Sequence, residues 1–548
     1  MKSSPPLRSR PVALQNPHWR SLFRWDLVAL ALVIVLFAAI RWRLRDMPLE
    51  RDEGEYAYAG QLILQGVPPY QLAYNMKFPG TYATYAVIMA IFGQTEAGIR
   101  VGFLLINAAT ILLVFALGKR LFGTTAAVVS SASYALLSVG PRVDGFAGHA
   151  THLVALAALA GLWLLLKGTE KRGNWWIFTA GLLLGTAIVM KQPGAVFAVF
   201  GGLYLLTAEG WGIRKMRESI PRLARFGAGV ILPFGLTCLV LWRAGVFAKF
   251  WFWTFAYAYQ YGTNRSAAEG WNFLAAILPS IVLPDVGLWL LAGVGLSAFL
   301  WSRKGQAHTK FLVGLLLFSC IGLSAGLYFR RHYFILVLPA LSLLVGFAIT
   351  ATAELLEQRF PGKSMRSLPI LAFSGMLALS FFHHAYFLFR ADPVSASQLA
   401  YWPDPFPETR RIARYLGQHA SPGAKVAVLG SEPQIFFYSG LRSATGYIYM
   451  YSLTERQKYA LRMQLEAIAE IEAAQPEYLV YVRDWVVWPE SERTIFNWAE
   501  KYIDNHYERV AVVKVEGGPQ SGNEGQFVGR TNEDEEDGTS YVFRRISP

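Results

Sequence analysis

The chain has 548 residues, of which 54 % are hydrophobic and 16 % are charged. This composition excludes an ordinary soluble protein, because soluble domains carry about 25 % charged residues. The formal net charge of +14 is no argument for a nucleic-acid partner, because the basic residues follow the pattern of a membrane topology.

Apolar segments follow one another through the first 390 residues. Crossing the ~30 Å hydrocarbon layer of a bilayer takes roughly 17 to 25 apolar residues per helix. We predict about eleven such spans, so the predicted fold class is a mainly α, polytopic transmembrane helix bundle. The predicted spans are residues 26–42, 97–118, 124–140, 148–166, 175–190, 194–206, 226–242, 273–301, 311–328, 333–350 and 368–389.

Basic residues predict on which side of the membrane each loop lies, because cytoplasmic loops are enriched in Lys and Arg. Arg20 and Arg24 precede the first span, so residues 1–25 are predicted to be a cytoplasmic segment that leads into an uncleaved anchor. Later basic clusters fall in alternate loops, at residues 119–120, 167–172, 214–225, 303–304 and 363–366. We therefore predict a multi-pass module over residues 26–390 in the cytoplasmic (inner) membrane, with residues 391–548 outside.

Three carboxylates, Asp52, Glu53 and Glu55, lie in the first predicted outer loop, residues 43–96. They precede an amphipathic helical pattern over residues 56–64. One interpretation is a capping box, with Asp52 as the N-cap and Glu55 at the third helical position. The other is catalysis, because a carboxylate at the bilayer edge is a candidate general base whose pKa partial desolvation would raise.

Four basic residues fall on the predicted outer side, against the cytoplasmic enrichment. They are Lys77, Lys191, Arg330 and Arg331. Each one alone is compatible with a side chain that reaches from the end of a span to the headgroups. Together they are candidates for binding a phosphate group near the membrane surface.

Residues 391–548 change in character and are predicted to form an extracytoplasmic α/β domain. Strands are predicted over 425–429, 478–482, 510–515 and 540–544, with helices over 408–417, 456–474 and 491–507. The acidic stretch 517–538 is predicted to be a mobile loop. The two cysteines, Cys238 and Cys320, both fall in predicted spans, so no disulfide framework is expected.

Two motifs in the first outer loop resemble a known family. Residues 52–58 (Asp-Glu-Gly-Glu-Tyr-Ala-Tyr) and 75–80 (Asn-Met-Lys-Phe-Pro-Gly) are similar to the first outer loop of GT-C superfamily membrane glycosyltransferases. Residues 190–192, 328–333 and 428–433 are similar to later segments of the bacterial members. These enzymes use polyprenyl-phosphate sugars and include aminoarabinose transferases and the protein O-mannosyltransferases of glycosyltransferase family 39.

The resemblance implies a GT-C-like fold and roles for particular residues. Asp52 would activate an acceptor hydroxyl, with inversion at the anomeric carbon, and Glu53 would be its catalytic neighbour or a metal contact. The donor phosphate would be bound by Lys77, Lys191, Arg330, Arg331 and His332. The substrate-binding candidates are Glu55, Tyr56, Tyr82, Asp144, His149, Tyr257 and Tyr259, whose tyrosines have the alternative of an interfacial aromatic belt.

The chain departs from the family after the third span, where many relatives carry a second acid. The nearest acid here is Asp144, which lies earlier than the usual position. Either Asp144 serves instead, or His149 and His152 replace the acid, or it is dispensable. The two histidines are spaced so that they could in principle hold a metal, but polar packing or sugar contact is the favoured interpretation, because no Cys and no certain third ligand accompany them. No metal site or cofactor is assigned, and a divalent cation is left open.

The sequence thus favours an integral-membrane glycosyltransferase of the cell envelope. Its partners would be the bilayer, a polyprenyl-phosphate sugar donor, and a glycan, lipid or protein acceptor on the outer face of the plasma membrane. The alternatives are a transporter or flippase of lipid-linked glycans and a non-catalytic assembly protein. Transporters keep charged residues deep in their spans and show paired repeats, whereas here the charges lie at outer span ends and no repeat is visible.

Overall fold

The computed structural model describes residues 24–171, 173–207, 213–360, 363–482, 493–514, 527–529 and 540–546. Helices occupy most of the chain up to residue 419, and all the described strands follow. The predicted cytoplasmic segment up to residue 23 and the predicted acidic loop, apart from 527–529, lie outside the described residues. The predicted domain boundary after residue 390 falls at the end of a π-helical turn and stays a prediction.

The helical part contains long apolar helices and shorter ones that connect or flank them. The first eight are α1 (Trp25–Arg43), α2 (Arg51–Leu64), α3 (Pro79–Phe92), α4 (Glu96–Phe122), α5 (Thr124–Leu137), α6 (Ala150–Lys171), α7 (Asn174–Met190) and α8 (Ala195–Thr207). The next eight are α9 (Ile213–Arg243), α10 (Phe247–Trp251), α11 (Ala258–Thr263), α12 (Ala267–Val282), α13 (Val286–Trp301), α14 (Arg303–Leu323), α15 (Leu338–Arg359) and α16 (Lys363–His383). Two π-helical turns, Phe252–Tyr257 and Tyr386–Arg390, follow α10 and α16.

Every predicted span falls largely on helix, although residues 138–140 and 148–149 of two spans belong to the loop between α5 and α6. Within the described residues, eight helical segments are long and apolar enough to cross a membrane. The predicted spans 124–140, 175–190 and 194–206 fall on α5, α7 and α8, which are shorter apolar helices. The helical fold class is confirmed, and the number of crossings stays a prediction.

The predicted span 273–301 is divided into α12 and α13 by a 3₁₀ turn, Leu283–Asp285. A Cβ atom at Gly270, near the start of α12, would lie 2.8 Å from the side chain of Leu327, which follows α14. Asp285, just after α12, lies 3.2 Å from His384 at the end of α16. Both ends of α12 therefore pack against segments on the predicted outer side, so we interpret α12 as lying along that side and α13 as the crossing.

Helix α2 begins earlier than the sequence predicted. Its N-cap is Glu50, whose carboxylate accepts a bond from the Glu53 N–H at 2.8 Å, while the Glu53 carboxylate accepts one from the Glu50 N–H at 3.2 Å. The capping box predicted for Asp52 and Glu55 is therefore wrong. Because Glu50 caps the helix, the carboxylate of Asp52 is available for other contacts.

The C-terminal part is a six-stranded sheet with helices packed against it. Its helices are α17 (Pro393–Tyr401), α18 (Phe406–His419), α19 (Gln434–Ser439), α20 (Tyr451–Thr454), α21 (Ala460–Ala474) and α22 (Thr494–His506). Its strands are β1 (Lys425–Leu429), β2 (Arg442–Ser443), β3 (Tyr478–Val482), β4 (Tyr507–Val513), β5 (Phe527–Gly529) and β6 (Ser540–Arg545). The strand order is β2-β1-β3-β6-β4-β5, with β1 parallel to β2 and β3, and β6 antiparallel to its neighbours β3 and β4.

The predicted α/β domain is confirmed in its main elements. Strands β1 and β3 have the predicted bounds, and β4 begins three residues before the predicted 510–515. The sequence missed β2 and β5, because strands of two and three residues are too short to show an alternating pattern.

The C-terminal domain packs against α2, the first helix of the predicted first outer loop. Arg51 donates to the Ser431 carbonyl at 2.8 Å and to the Glu432 carboxylate at 2.9 Å. A Cβ atom at Gly54 would lie 2.6 Å from the backbone nitrogen of Gln434, so the absence of a side chain allows this close packing. The contact places the domain above the three carboxylates of the first outer loop.

Candidate active site

A cavity of about 580 Å³ lies between the helical part and the C-terminal domain. Its charged and histidine lining comes from widely separated segments: Glu50, Arg51, Asp52, Lys77, Asp144, His149, Lys191, Arg330, Arg331, His332 and Asp404. Its aromatic lining includes Tyr257, Tyr261, Tyr328, Tyr449 and Tyr451. All five predicted phosphate-binding residues therefore meet at one cavity with Asp52.

Asp52 is held on one side and faces the cavity on the other. Its Oδ1 accepts a bond from the Lys77 ammonium at 2.7 Å and one from the Tyr449 hydroxyl at 3.2 Å. Its Oδ2 lies 3.9 Å from a ring nitrogen of both His149 and His332. Burial alone would raise the pKa of Asp52, but the charge of Lys77, its hydrogen bond and the other groups around the carboxylate together outweigh burial, so the pKa lies below its ordinary value. The expectation of a raised pKa is wrong, and Asp52 is ionised at neutral pH.

Glu55, Tyr56 and Tyr82 lie behind Lys77 and do not line the cavity. Glu55 accepts bonds from Lys77 at 2.9 Å and from the Tyr82 hydroxyl at 2.6 Å, and the Lys77 ammonium lies 4.7 Å from the Tyr56 ring centroid. The structure thus places three predicted substrate-binding residues where they support Lys77. Lys77 itself is neutralised by two carboxylates.

His149 and His332 stack with their ring centroids 4.0 Å apart. Burial lowers the pKa of both well below the ordinary value, so both are neutral. Asp52, His149 and His332 each offer one ligand atom, and these atoms lie within 4.8 Å of one another. Neutral imidazoles and a carboxylate are suitable ligands for zinc and similar divalent ions. The alternative in which His149 and His152 hold a metal together is not supported, because the His152 ring contacts the Gly145 carbonyl at 2.9 Å.

Lys191 and Arg330 are cations that no carboxylate of the described residues neutralises by an ion pair. The Lys191 ammonium lies 3.3 Å from His332, and burial lowers its pKa to about 7. The Arg330 guanidinium lies over the rings of Tyr328 and Tyr451, at 5.5 and 5.8 Å from their centroids. Arg330 is therefore available to an anionic ligand in the cavity, and so is Lys191 in its protonated form.

Arg331 and Asp144 form a second charged pair at the cavity wall. Arg331 donates to the Ala400 carbonyl at 2.9 Å and lies 3.5 Å from the Asp144 carboxylate. Burial raises the pKa of Asp144 to about 6, although Arg331 opposes the rise. Asp144 therefore lines the cavity with its carboxylate paired with Arg331, and its role as a substrate-binding residue stays a prediction.

Two further predicted residues lie outside the cavity. Glu53 is fully buried and contacts Arg100 and the Gly148 N–H, because consecutive helical residues point about 100° apart and Asp52 already faces the cavity. Tyr259 is 67 % exposed, whereas Tyr257 and Tyr261 share the cavity-facing side of the helix at i and i+4. Neither the catalytic contact predicted for Glu53 nor the substrate contact predicted for Tyr259 therefore fits its position in the structure.

Sequence reasoning missed the contribution of the C-terminal domain to the site. Tyr449 bonds to Asp52 across 397 positions of the sequence, and Tyr451 stands over Arg330. The alternation of tyrosines at 447, 449 and 451 was the one visible signal. This alternation does not indicate which distant segment the tyrosines contact.

The comparison with known proteins agrees with this architecture. The family model for dolichyl-phosphate-mannose-protein mannosyltransferase matches residues 77–240. An undecaprenyl phosphate-alpha-4-amino-4-deoxy-L-arabinose arabinosyl transferase from Pseudomonas aeruginosa is 28 % identical over 321 residues. The match spans 56 % of this chain and 56 % of that protein, so the chain spans little more than half the length of this relative.

Two solved structures share the fold over nearly the whole chain. ArnT from Cupriavidus metallidurans bound to undecaprenyl phosphate gives a TM-score of 0.57 at 16 % identity and covers 95 % of this chain and 97 % of that one. AglB, the oligosaccharyltransferase of Archaeoglobus fulgidus, in complex with an inhibitory peptide and a dolichol-phosphate, gives 0.51 at 13 % identity, with 96 % and 76 % coverage.

These likenesses define the class of protein. The chain is a polytopic helical protein with the GT-C fold, and the fold class predicted from the sequence is confirmed. The resemblance to the GT-C superfamily of membrane glycosyltransferases, stated from the sequence motifs, is confirmed as well.

Proposed function

We propose that the chain is an integral-membrane glycosyltransferase that moves a sugar from a polyprenyl-phosphate donor to an acceptor on the outer face of the cytoplasmic membrane. The placement of Asp52 carries the proposal, because Lys77 holds one carboxylate oxygen while the other faces a cavity with two basic residues, Lys191 and Arg330, that no carboxylate of the described residues pairs with. The named relatives support it, since one is named undecaprenyl phosphate-alpha-4-amino-4-deoxy-L-arabinose arabinosyl transferase and the ArnT structure is bound to undecaprenyl phosphate.

The donor phosphate is bound by Arg330 and Lys191. Both line the cavity, and neither forms an ion pair with a carboxylate of the described chain, so a phosphate gains charge-assisted hydrogen bonds without breaking such an ion pair. Lys77, Arg331 and His332 line the same cavity, and His332, which is neutral, offers a hydrogen bond rather than a charge. Of these, Lys77 and Arg331 already have carboxylate partners.

Asp52 acts as the base in an inverting transfer. The acceptor hydroxyl oxygen attacks the anomeric carbon from the side opposite the phosphate, and its proton passes to Oδ2 of Asp52. The bond between the anomeric carbon and the phosphate oxygen breaks, and its electron pair stays on the polyprenyl phosphate. Lys77 keeps Oδ1 in place, so Oδ2 presents a fixed acceptor to the hydroxyl.

A divalent cation fits the same place. Asp52, His149 and His332 would hold it, because both imidazoles are neutral and neither ring nitrogen of His149 has a hydrogen-bond partner among the described residues. Such an ion would supply Lewis-acid stabilisation of negative charge. The residues' own part is to fix the carboxylate and to keep two uncharged nitrogen atoms facing it.

The test is Asp52→Asn in the purified full-length chain, with a labelled polyprenyl-phosphate sugar, membrane acceptor fractions, and parallel reactions with and without a chelator. We expect turnover to fall about 100-fold or more while donor binding is retained, because the amide cannot accept the proton. Asp46→Asn is the matched control, since Asp46 is an exposed acid of the same loop. It should leave turnover unchanged.

The outcomes separate the candidate functions. Full turnover in the Asp52→Asn variant would rule out the proposed base. Wild-type protein that moves lipid-linked glycans across vesicles without transferring sugar would indicate a flippase. A chain that supports envelope assembly equally well with Asn at position 52 would indicate a non-catalytic assembly protein.

A further inference from the structure

Two buried arginines and a buried glutamate lie behind the cavity wall. Arg41 of α1, Glu53 of α2 and Arg100 of α4 are 3 %, 0 % and 2 % exposed, and none of them lines the cavity. We call them the buried charge cluster. Arg100 forms an ion pair with Glu53, whereas Arg41 has hydrogen bonds only to backbone carbonyls of the described residues. Two cations and one anion leave a buried positive charge that the surroundings must compensate.

The backbone of the loop between α5 and α6, residues 138–149, supplies this compensation. Arg41 donates to the carbonyls of Ser138, Gly145 and Phe146 at 3.1, 2.8 and 3.2 Å. Arg100 donates to the Phe146 carbonyl as well, at 3.2 Å, and both guanidinium groups lie 5.3 Å from the centre of the Phe146 ring. Glu53 accepts a bond from the Gly148 N–H. The cluster therefore holds the loop at both of its ends and in the middle.

Close packing restricts the path that the loop takes around the buried charge cluster. A Cβ atom at Gly145 would lie 2.5 Å from the Ser138 carbonyl, and one at Gly148 would lie 2.4 Å from the Tyr85 hydroxyl. Asp144, just before Gly145, has a left-handed backbone with φ of +48°. Close packing and an unfavourable backbone conformation persist only where neighbouring contacts impose them.

The same loop carries two cavity residues next to its anchored positions. Asp144 precedes Gly145, which Arg41 holds, and His149 follows Gly148, which Glu53 holds. We infer that Arg41, Glu53 and Arg100 are positioning residues of the transfer reaction, which set the places of Asp144 and His149 around Asp52 without touching substrate. This inference rests on the proposed function and assigns to Glu53 a role different from catalysis.

The chain contains a matched control two residues away on the same helix. Arg43 also ends α1 and also donates to three backbone carbonyls, those of Phe387, Leu388 and Ala391. These carbonyls belong to a segment without cavity residues. Arg41→Met and Arg43→Met each remove hydrogen bonds to three backbone carbonyls, and of the two arginines only Arg41 donates to the α5–α6 loop.

The test compares both variants in full-length protein by steady-state kinetics, donor binding and hydrogen–deuterium exchange, below the unfolding temperature of either. In Arg41→Met we expect kcat to fall about tenfold to a hundredfold, because displacements of about 1 Å in a site have such effects. Donor affinity should be retained, because Arg330 and Lys191 lie on other segments. Exchange in residues 138–149 should rise in Arg41→Met alone, and Arg43→Met should keep the wild-type kcat.

Unchanged exchange in residues 138–149 of Arg41→Met would overturn the inference whether or not the protein is a glycosyltransferase. Equal kcat in the two variants would overturn it as well. Raised exchange together with a wild type that transfers no sugar would keep the anchoring role and refute the proposed function. Arg41→Lys is used if Arg41→Met fails to fold, because it keeps the charge but loses the planar fork that reaches several carbonyls.

Discussion

Arg330 and Arg331 are adjacent in the sequence, but their surroundings give them different tasks. Arg331 forms an ion pair with Asp144 and donates a hydrogen bond to the Ala400 carbonyl, whereas Arg330 lies over the rings of two tyrosines. We expect Arg330→Ala to weaken binding of undecaprenyl phosphate about tenfold or more, because a charge-assisted hydrogen bond contributes about 1.5 to 3 kcal/mol. Arg331→Ala is the matched control and should change donor affinity less.

Isothermal titration of both variants in detergent with undecaprenyl phosphate measures this difference. Equal losses of affinity would mean that the phosphate is recognised by the general positive potential of the segment. No loss in Arg330→Ala would exclude Arg330 from the phosphate site.

The sequence predicted which types of side chain form the site better than it predicted which of them contact one another. Asp52, Lys77, Lys191 and Arg330 were identified by their places in outer segments and His332 by the family resemblance, and all five line the cavity. Whether a neighbour faces the cavity depends on the exact start of a helix. A shift of one residue turns a side chain by about 100°, which is why Asp52 and Glu53 differ in role.

At the scale of elements, α2 belongs to the helical part and packs directly against the C-terminal domain. Its Gly54 packs directly on the backbone of Gln434, so Gly54→Ala should destabilise the docking of the C-terminal domain by about 1 to 3 kcal/mol, the usual cost of overpacking. Gly235→Ala in α9 is the control, because a Cβ atom there would meet nothing within 4 Å.

Thermal unfolding in detergent, combined with limited proteolysis, measures the effect of both substitutions. A lower unfolding temperature and faster cleavage are expected for Gly54→Ala alone. Wild-type behaviour of Gly54→Ala would show that the interface relaxes around the added methyl group.

At the scale of the whole molecule, the charge pattern predicts that the C-terminal domain is outside and that the end of α15 is cytoplasmic. Single cysteines at two exposed positions, Ser421 and Glu357, test this in a chain with Cys238 and Cys320 replaced by alanine. An impermeant maleimide should label S421C in intact spheroplasts and E357C only after lysis. The opposite pattern would invert the topology and remove the outer-face reaction.

The sequence by itself determined the membrane helices, the main strands of the C-terminal domain and the class of residues at the site. Local hydrophobic periodicity and the charges that flank each apolar segment predict these features. Only the tertiary structure decided which side chains meet. The pairing of Asp52 with Tyr449, the stacking of His149 on His332 and the anchoring of a loop by Arg41 join distant segments. Such contacts depend on how helices pack and on which face each one presents, and no local pattern encodes that.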